Sequence, residues 1–300
     1  MTLIRVAADI GGTFTDVALD TPTGLYTSKV LTTAQEPATG VLRGIEEVVT
    51  EAGLNASDID VFVHGTTLAT NALIERRGAV TALLTTEGLR DSVEMAHENR
   101  FEQYDLAMTR PEPLVPRDLR FGIPERLDST GRVLKELDTS ALETAVQVMK
   151  EQNVESIAIG FLHSYANNSH ERRAAKVVHD LWPEVSITLS SEVCPEIREY
   201  ERLSTACANA YIQPLVTKYL QDLESRRHAL SMTCPMLLMQ SGGGLGTLDD
   251  ALRFPVRLVE SGPAGGALLS AELARSLQLE KALSFDMGGT TAKLCIITGG

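Results

Sequence analysis

The sequence predicts an α/β fold built as two domains, and three observations carry that prediction. Short apolar runs of strand length alternate with longer segments whose apolar residues recur at helical spacing. The length, 300 residues, exceeds one ordinary domain. A stretch near the N-terminus also returns without gaps near the other end of the chain.

The elements follow in order. Residues 4–9 form a short buried strand and 17–20 its antiparallel partner, joined through Gly11 and Gly12 as a hairpin. Val41, Leu42, Ile45, Val48 and Val49 mark a helix over 37–52, ended by Gly53. A strand over 61–63, a helix over 68–77 and a strand over 80–85 come next. Between 100 and 138 the texture changes: Pro111, Pro113, Pro116 and Pro124 punctuate the chain, and two short strands flank Asp128-Ser-Thr-Gly131. This stretch reads as an insertion or lid. The spacing of Ser140 and Glu143 predicts a capping box that opens a helix running to about residue 152. Strand 156–162, helix 169–181 and strand 186–190 complete a first domain, residues 1–195. A long helix over 197–227, with Pro214 as a candidate bend, leads into a second domain, residues 196–300. There follow strand 236–240, a glycine loop over 241–246, helix 264–277 and strands 283–286 and 294–298.

Composition excludes several classes. With 43% apolar residues and a mean hydropathy near zero, the chain can bury a large core. No apolar run approaches the roughly 20 residues that span a bilayer, and the N-terminus lacks the pattern of a secretory signal. The expectation is a cytoplasmic protein without membrane contact. A net charge of −13 disfavours nucleic acid. It leaves open a small nucleotide, whose phosphates backbone N–H groups and a metal can hold. Cys194, Cys207, Cys234 and Cys295 have neither zinc-site nor disulfide-framework spacing, and are read as reduced thiols.

The repeated stretch carries the chemistry. Ala7-Ala-Asp9-Ile-Gly11-Gly12-Thr13-Phe14-Thr15-Asp16-Val17 aligns with Ser284-Phe-Asp286-Met-Gly288-Gly289-Thr290-Thr291-Ala-Lys293-Leu294. Two glycines permit positive φ angles and let a phosphate approach the backbone amides. The threonine adds a hydroxyl, and the aspartate at the strand end can hold Mg²⁺. Asp9 and Asp286 are therefore candidate metal ligands and, with Asp16, candidate catalytic carboxylates. Gly11, Gly12, Thr13, Phe14, Thr15, Gly288, Gly289, Thr290 and Thr291 are candidate nucleotide contacts. Two such turns gripping one polyphosphate require two similar domains with a cleft between them. For a single copy, a plain hairpin turn is the competing explanation.

Other segments stay open between two readings. His64, Thr66, Thr67 and Asn71 lie at a strand-to-helix junction, where they face substrate or merely cap the helix. The segment from Ser261 through Gly262 and Gly265 to Gly266 opens a helix with Pro263 in its first turn, and either caps it or approaches phosphate. His97 to Arg100 with Tyr104 and Asp105 form either a substrate-selecting cluster or a solvated surface. Glu199 and Arg202 read as an ordinary surface i, i+3 ion pair or as an interdomain or partner contact.

These motifs, taken in order, resemble the hydantoinase A / oxoprolinase family, which includes acetone carboxylase subunits and shares the actin-like ATPase, ribonuclease H-like fold. The resemblance runs the whole length. It is carried by Asp9-Ile-Gly-Gly-Thr-Phe-Thr-Asp16, His64-Gly-Thr-Thr-Leu-Ala-Thr-Asn71, Gln103-Tyr-Asp-Leu106, Arg110-Pro-Glu-Pro-Leu-Val-Pro116, Glu199-Tyr-Glu-Arg202, Met239-Gln-Ser-Gly-Gly-Gly244, Glu260-Ser-Gly-Pro-Ala-Gly-Gly266 and Asp286-Met-Gly-Gly-Thr290. It implies ATP- and Mg²⁺-dependent phosphorylation of the carbonyl oxygen of a cyclic amide such as hydantoin, 5-oxoproline or another lactam, or of a ketone. It also implies a hetero-oligomer with a hydantoinase B-type subunit. Many family members place Asp where Lys293 stands, and the family chain is roughly twice this long, so the second domain is expected to be partial. A sugar or acetate kinase shares the fold and turns, though the His64 and Ser261 segments fit the hydantoinase group better. A truncated, non-catalytic scaffold subunit is the alternative from outside enzymes.

Overall fold

The computed structural model describes residues 3–33, 36–97, 102, 104–109, 111–287 and 292–299. Its strands are β1 (Arg5–Ile10), β2 (Phe14–Thr21), β3 (Gly24–Leu31), β4 (Val61–Thr66), β5 (Thr81–Thr86), β6 (Arg120–Ile123), β7 (Arg126–Leu127), β8 (Val133–Lys135), β9 (Ser156–Gly160), β10 (Ser186–Leu189), β11 (Met236–Met239), β12 (Leu245–Thr247), β13 (Lys281–Met287) and β14 (Ala292–Thr298). Its helices are α1 (Pro37–Glu51), α2 (Leu68–Ile74), α3 (Ser92–Met95), α4 (Thr139–Glu151), α5 (Ser169–Leu181), α6 (Ser190–Val193), α7 (Glu199–Ala229), α8 (Leu248–Arg253) and α9 (Ser261–Ser276). Packing groups residues 1–74 with 216–300 as one unit and 75–215 as another. No helix among the described residues is long and apolar enough to cross a membrane.

The first unit is built on a six-stranded sheet of order β12-β11-β4-β1-β2-β3. β1 runs antiparallel to β2 and parallel to β4. Strict alternation along β1 buries Val6, Ala8 and Ile10 and leaves Arg5, Ala7 and Asp9 on the open face. α1 covers the buried face with Val41, Leu42, Ile45, Val48 and Val49. Gly44 permits this approach, because a Cβ there would lie 2.6 Å from Cγ2 of Val17. A separate hairpin, β13–β14, follows α9. Leu283 pairs with Ile296 and Phe285 with Leu294, and these four stand exposed with Met287 on one bare apolar face.

The second unit holds a parallel sheet of order β10-β9-β5-β6. Every residue of β5 and β9 is buried, as expected for parallel strands covered on both faces. β6 lies inside the proline-rich stretch and pairs with β5, so part of that stretch is core. Four residues are too few for a readable alternation. β3 was hidden differently: it is an edge strand whose residues are mostly solvent-facing. The cap of α4 also departs from expectation. Asp138, not Ser140, is the N-cap, accepting from the N–H groups of Ser140 and Ala141 at 3.0 Å each, a carboxylate being the stronger acceptor. α7 continues unbroken through Pro214.

At the carboxyl ends of β5, β9 and β10, where open α/β sheets commonly bind ligands, this unit is filled by its own polar side chains. Fully buried Glu171 accepts from Phe161 N–H, Ser190 Oγ, and both N–H and Oγ of Ser191. Arg202, also fully buried, donates to Ser190 Oγ and to the carbonyls of Glu196 and Phe161. Replacing Glu171 with Ala strands four donors at about 1–3 kcal/mol each if left unsatisfied. Chemical denaturation of Glu171→Ala is expected to show a loss of more than about 3 kcal/mol, and near-wild-type stability would contradict the assignment.

Candidate functional site

On the open face of the first unit, four residues stand in register across four strands. Lys29 on β3 is opposite Asp16 on β2, Asp16 is opposite Asp9 on β1, and Asp9 is opposite Gly65 on β4. Directly paired like charges repel, and the row answers this from both ends. Lys29 Nζ lies 2.6 Å from Asp16 Oδ1. At the other end, a Cβ on Gly65 would meet Asp9 Oδ1 at 2.6 Å, so glycine is what leaves room for the carboxylate. The row lines a cavity of about 680 Å³, bounded on another side by Ser261, Gly262 and Gly265 at the start of α9.

Asp9 opens onto this cavity, yet the protein around it strips part of its hydration. That desolvation, then the charges of Asp16 and Asp286, raises its carboxyl above the ordinary aspartate range. Asp286, on the second hairpin, is thus an electrostatic neighbour of Asp9. The four residues Gly288, Gly289, Thr290 and Thr291 lie outside the described residues.

The first turn is tight. Gly11 N–H donates to the Phe14 carbonyl at 2.9 Å, and a Cβ on Gly11 would press within 3.1 Å of that oxygen. A Cβ on Gly12 would meet nothing within 4 Å. Neither glycine adopts positive φ, contrary to the sequence expectation. Close approach and an open backbone face account for them instead. Thr13 lends its carbonyl to Thr32 N–H, and Thr32 Oγ1 donates to the Gly11 carbonyl. Phe14 lies under the Lys29 ammonium, 5.1 Å from the ring centroid. Thr15 is fully buried with its hydroxyl on Thr32, so it braces the hairpin and does not face the cavity.

The His64 segment holds the site from behind. His64 is fully buried, with Nδ1 3.0 Å from the Ala8 carbonyl and Nε2 2.7 Å from Tyr219 Oη. A carbonyl only accepts, so Nδ1 carries the proton and Tyr219 donates to Nε2. Burial holds the ring's pKa down to about 4, keeping it neutral. Thr66 Oγ1 accepts from Leu68 N–H at the start of α2. Thr67 donates both N–H and Oγ1 to the Ile10 carbonyl, and Asn71 donates to Thr67 Oγ1. His64 and Thr67, the latter backed by Asn71, thus position Ala8 to Ile10, while Thr66 holds the start of α2; the neighbours that line the cavity are Val63 and Gly65. None of the four is among the residues that line the cavity.

The sequence reading missed Lys29, Thr32, Gly65 and Tyr219. The signal for Lys29 was hairpin arithmetic: Thr21 to Gly24 form a second turn, which places position 29 opposite 16. Cys207 and Cys234 are buried free thiols, and burial pushes Cys207 up to about 12.

Gly65→Ala is expected to destabilise by roughly 1–3 kcal/mol through overpacking, with much of the loss recovered in combination with Asp9→Ala. A second expectation follows from the raised carboxyl of Asp9. A folded-state value above the unfolded one means ionised Asp9 opposes folding above the ordinary aspartate range. Asp9→Asn should therefore raise the thermal midpoint at neutral pH, and the gain should vanish as the pH falls below that range. A lowered midpoint at neutral pH would contradict the electrostatic picture.

Comparison with known proteins places this chain in a family. Residues 5–182 match the hydantoinase/oxoprolinase N-terminal region, and residues 202–300 match hydantoinase/oxoprolinase. The chain is 36% identical to an uncharacterized protein of Methanocaldococcus jannaschii over 98% of its own length and 43% of that protein. It is 33% identical to the caprolactamase subunit alpha of Pseudomonas jessenii, over 99% of this chain and 44% of the relative. To the acetophenone carboxylase gamma subunit of Aromatoleum aromaticum it is 29% identical, over 96% of this chain and 42% of the relative. The crystal structure of the ATP-dependent caprolactamase from Pseudomonas jessenii superposes with a TM-score of 0.86, covering 97% of this chain and 43% of that one. The chain thus spans less than half the length of these relatives, shares their ATPase-like α/β fold, and belongs to the hydantoinase/oxoprolinase family.

Proposed function

We propose that this chain provides the nucleotide-phosphate side of an ATP-dependent enzyme that opens cyclic amides. The observation that carries the reading is the row Lys29–Asp16–Asp9–Gly65 facing a cavity, with Asp286 close enough to add to the charge on Asp9. Among the described residues no three such side chains form a group that could hold a metal ion by themselves; the pair Asp9 and Asp286 would supply one side of a divalent cation's shell, with phosphate oxygens and water supplying the rest. The uncapped start of α9 at the cavity, with Gly262 open to space on its Cβ side, fits phosphate oxygens.

ATP with Mg²⁺ would supply the phosphoryl group that activates the amide carbon: water would add to the O-phosphorylated carbon, the C–N bond would break as the ring nitrogen takes a proton and leaves as the amine, and a second water would hydrolyse the resulting acyl phosphate to carboxylate and inorganic phosphate. In this reading Asp9 and Asp286 hold the cation and Asp16 serves as its partner or as a base. Gly11, Gly12, Thr13 and the corresponding Gly288 to Thr291 face the phosphates, with Gly262 and Gly265 at the helix start. Phosphoryl transfer of this kind rests on positioning and charge neutralisation rather than protein covalent chemistry.

We take residues 1–195 as the family's N-terminal region and 196–300 as the start of its second region, around the matched stretches 5–182 and 202–300. The bare apolar face of β13–β14 supports the second being partial, because a sheet face with five exposed large side chains calls for a cover. We take the working protein to be a cytoplasmic hetero-oligomer with a hydantoinase B-type subunit. The caprolactamase relative is itself a subunit of its enzyme, as its name states. The acetophenone carboxylase relative keeps a ketone carboxylase as the second reading.

Phosphate release by the full chain with a B-type subunit should be stimulated by hydantoin, 5-oxoproline or caprolactam, and Asp9→Asn should reduce it about a hundredfold or more. Stimulation only by a ketone with bicarbonate would move the assignment to the carboxylase. No stimulation by either class would overturn the enzymatic reading.

A further inference from the structure

The second hairpin repeats the first with one charge reversed. In the gap-free echo, Asp286 stands where Asp9 stands and Lys293 where Asp16 stands. Both pairs keep the same cross-strand register, Asp9 opposite Asp16 and Asp286 opposite Lys293. The first hairpin therefore presents two neighbouring carboxylates, and the second a carboxylate beside an ammonium.

That ammonium pairs with a residue of another element. Lys293 Nζ lies 3.0 Å from Oε2 of Glu260, the N-cap of α9. Glu260 adopts a left-handed backbone conformation, φ 62°, uncommon and strained for a non-glycine residue. Its side chain makes no hydrogen bond to the helix amides it precedes. The carboxylate thus engages the lysine and leaves the start of α9 uncapped, where Ser261 and Gly262 line the cavity. Lys29 is placed differently: it reaches Asp16 of the first hairpin from the neighbouring strand β3.

We propose that Lys293, paired with the residue that precedes the cavity-lining Ser261, is an anion-binding residue at the cavity's edge that contacts the nucleotide's phosphate tail, and that Glu260 holds its ammonium when no tail is present. The proposal rests on the nucleotide reading of the cavity. Carboxylate and phosphate oxygens compete for the same N–H donors, and phosphate carries more charge and more acceptor oxygens. The pair is partly open to solvent, Lys293 at 28% and Glu260 at 49% side-chain exposure, so an incoming anion has access to it. Exchange of one acceptor for the other needs no proton transfer, because the lysine stays an ammonium throughout.

The test is binding of inorganic tripolyphosphate to the full chain by isothermal titration calorimetry. Lys293→Met should weaken binding about tenfold or more, and Lys293→Arg should retain it. Glu260→Gln, which removes the internal competitor, should tighten binding by up to about fivefold. The double variant should bind as weakly as Lys293→Met alone. Wild-type affinity in Lys293→Met, or unchanged or weaker binding in Glu260→Gln, overturns this proposal and leaves the cavity reading standing. If Lys293→Met loses its circular dichroism signal, the Glu260→Gln result decides alone. Absence of tripolyphosphate binding by the wild type overturns both the proposal and the cavity reading.

Discussion

Asp9 and Asp16 face each other across the first hairpin, and two carboxylates in that register repel at a separation of roughly 5 Å. A fold tolerates such a pair only where surrounding groups fix it in place, and here they do so from every side. Lys29 neutralises one member along the row. Gly65 makes room for the other. From the covered face, His64 and Tyr219 anchor the Ala8 carbonyl, while Thr67 and Thr32 hold the carbonyls of Ile10 and Gly11. The result is a concentrated negative charge on a rigid sheet, with Asp286 adding to it. Such an arrangement strains the folded chain unless a cation shares it. Under the proposed function, the charge of a bound divalent cation would offset that repulsion.

Much of this was legible in the sequence, for reasons that differ by element. α5 was placed to the residue because its apolar spacing and flanking turn residues agree. The hairpin at Gly11 and Gly12 was legible because glycine pairs at strand ends have few other uses. Register was harder. Asp16 could be read from the first hairpin's own motif, which runs from Asp9 to Asp16, whereas Lys29 required an edge strand whose polar residues give no apolar period. Gly65 was hidden inside the His64 segment, whose threonines and histidine drew the functional reading. Side-chain direction decided there: alternation turns Gly65 to the open face and His64 into the core, next to a tyrosine far along the chain. Likewise the glycines of the first turn were explained by positive φ, and the structure assigns them to close packing and open backbone.

The two hairpins are copies in backbone register and not in charge. Duplication of a turn supplies two places where backbone amides meet phosphate, and later substitution can specialise each. With carboxylates on one copy and a lysine–carboxylate pair on the other, one side suits a cation and the other suits the anion it accompanies. On the proposed function, a chain of net charge −13 would recognise a negatively charged ligand through local features that its overall charge conceals.

The most direct measurement is anomalous scattering from crystals of the full chain soaked with Mn²⁺ and tripolyphosphate. A manganese peak at the carboxylate of Asp9, with phosphate density reaching toward Gly12 and the start of α9, is the expected result. Manganese bound elsewhere, with the Asp9 carboxylate left bare at saturating concentration, would contradict the reading of this charged row as the phosphate and metal site.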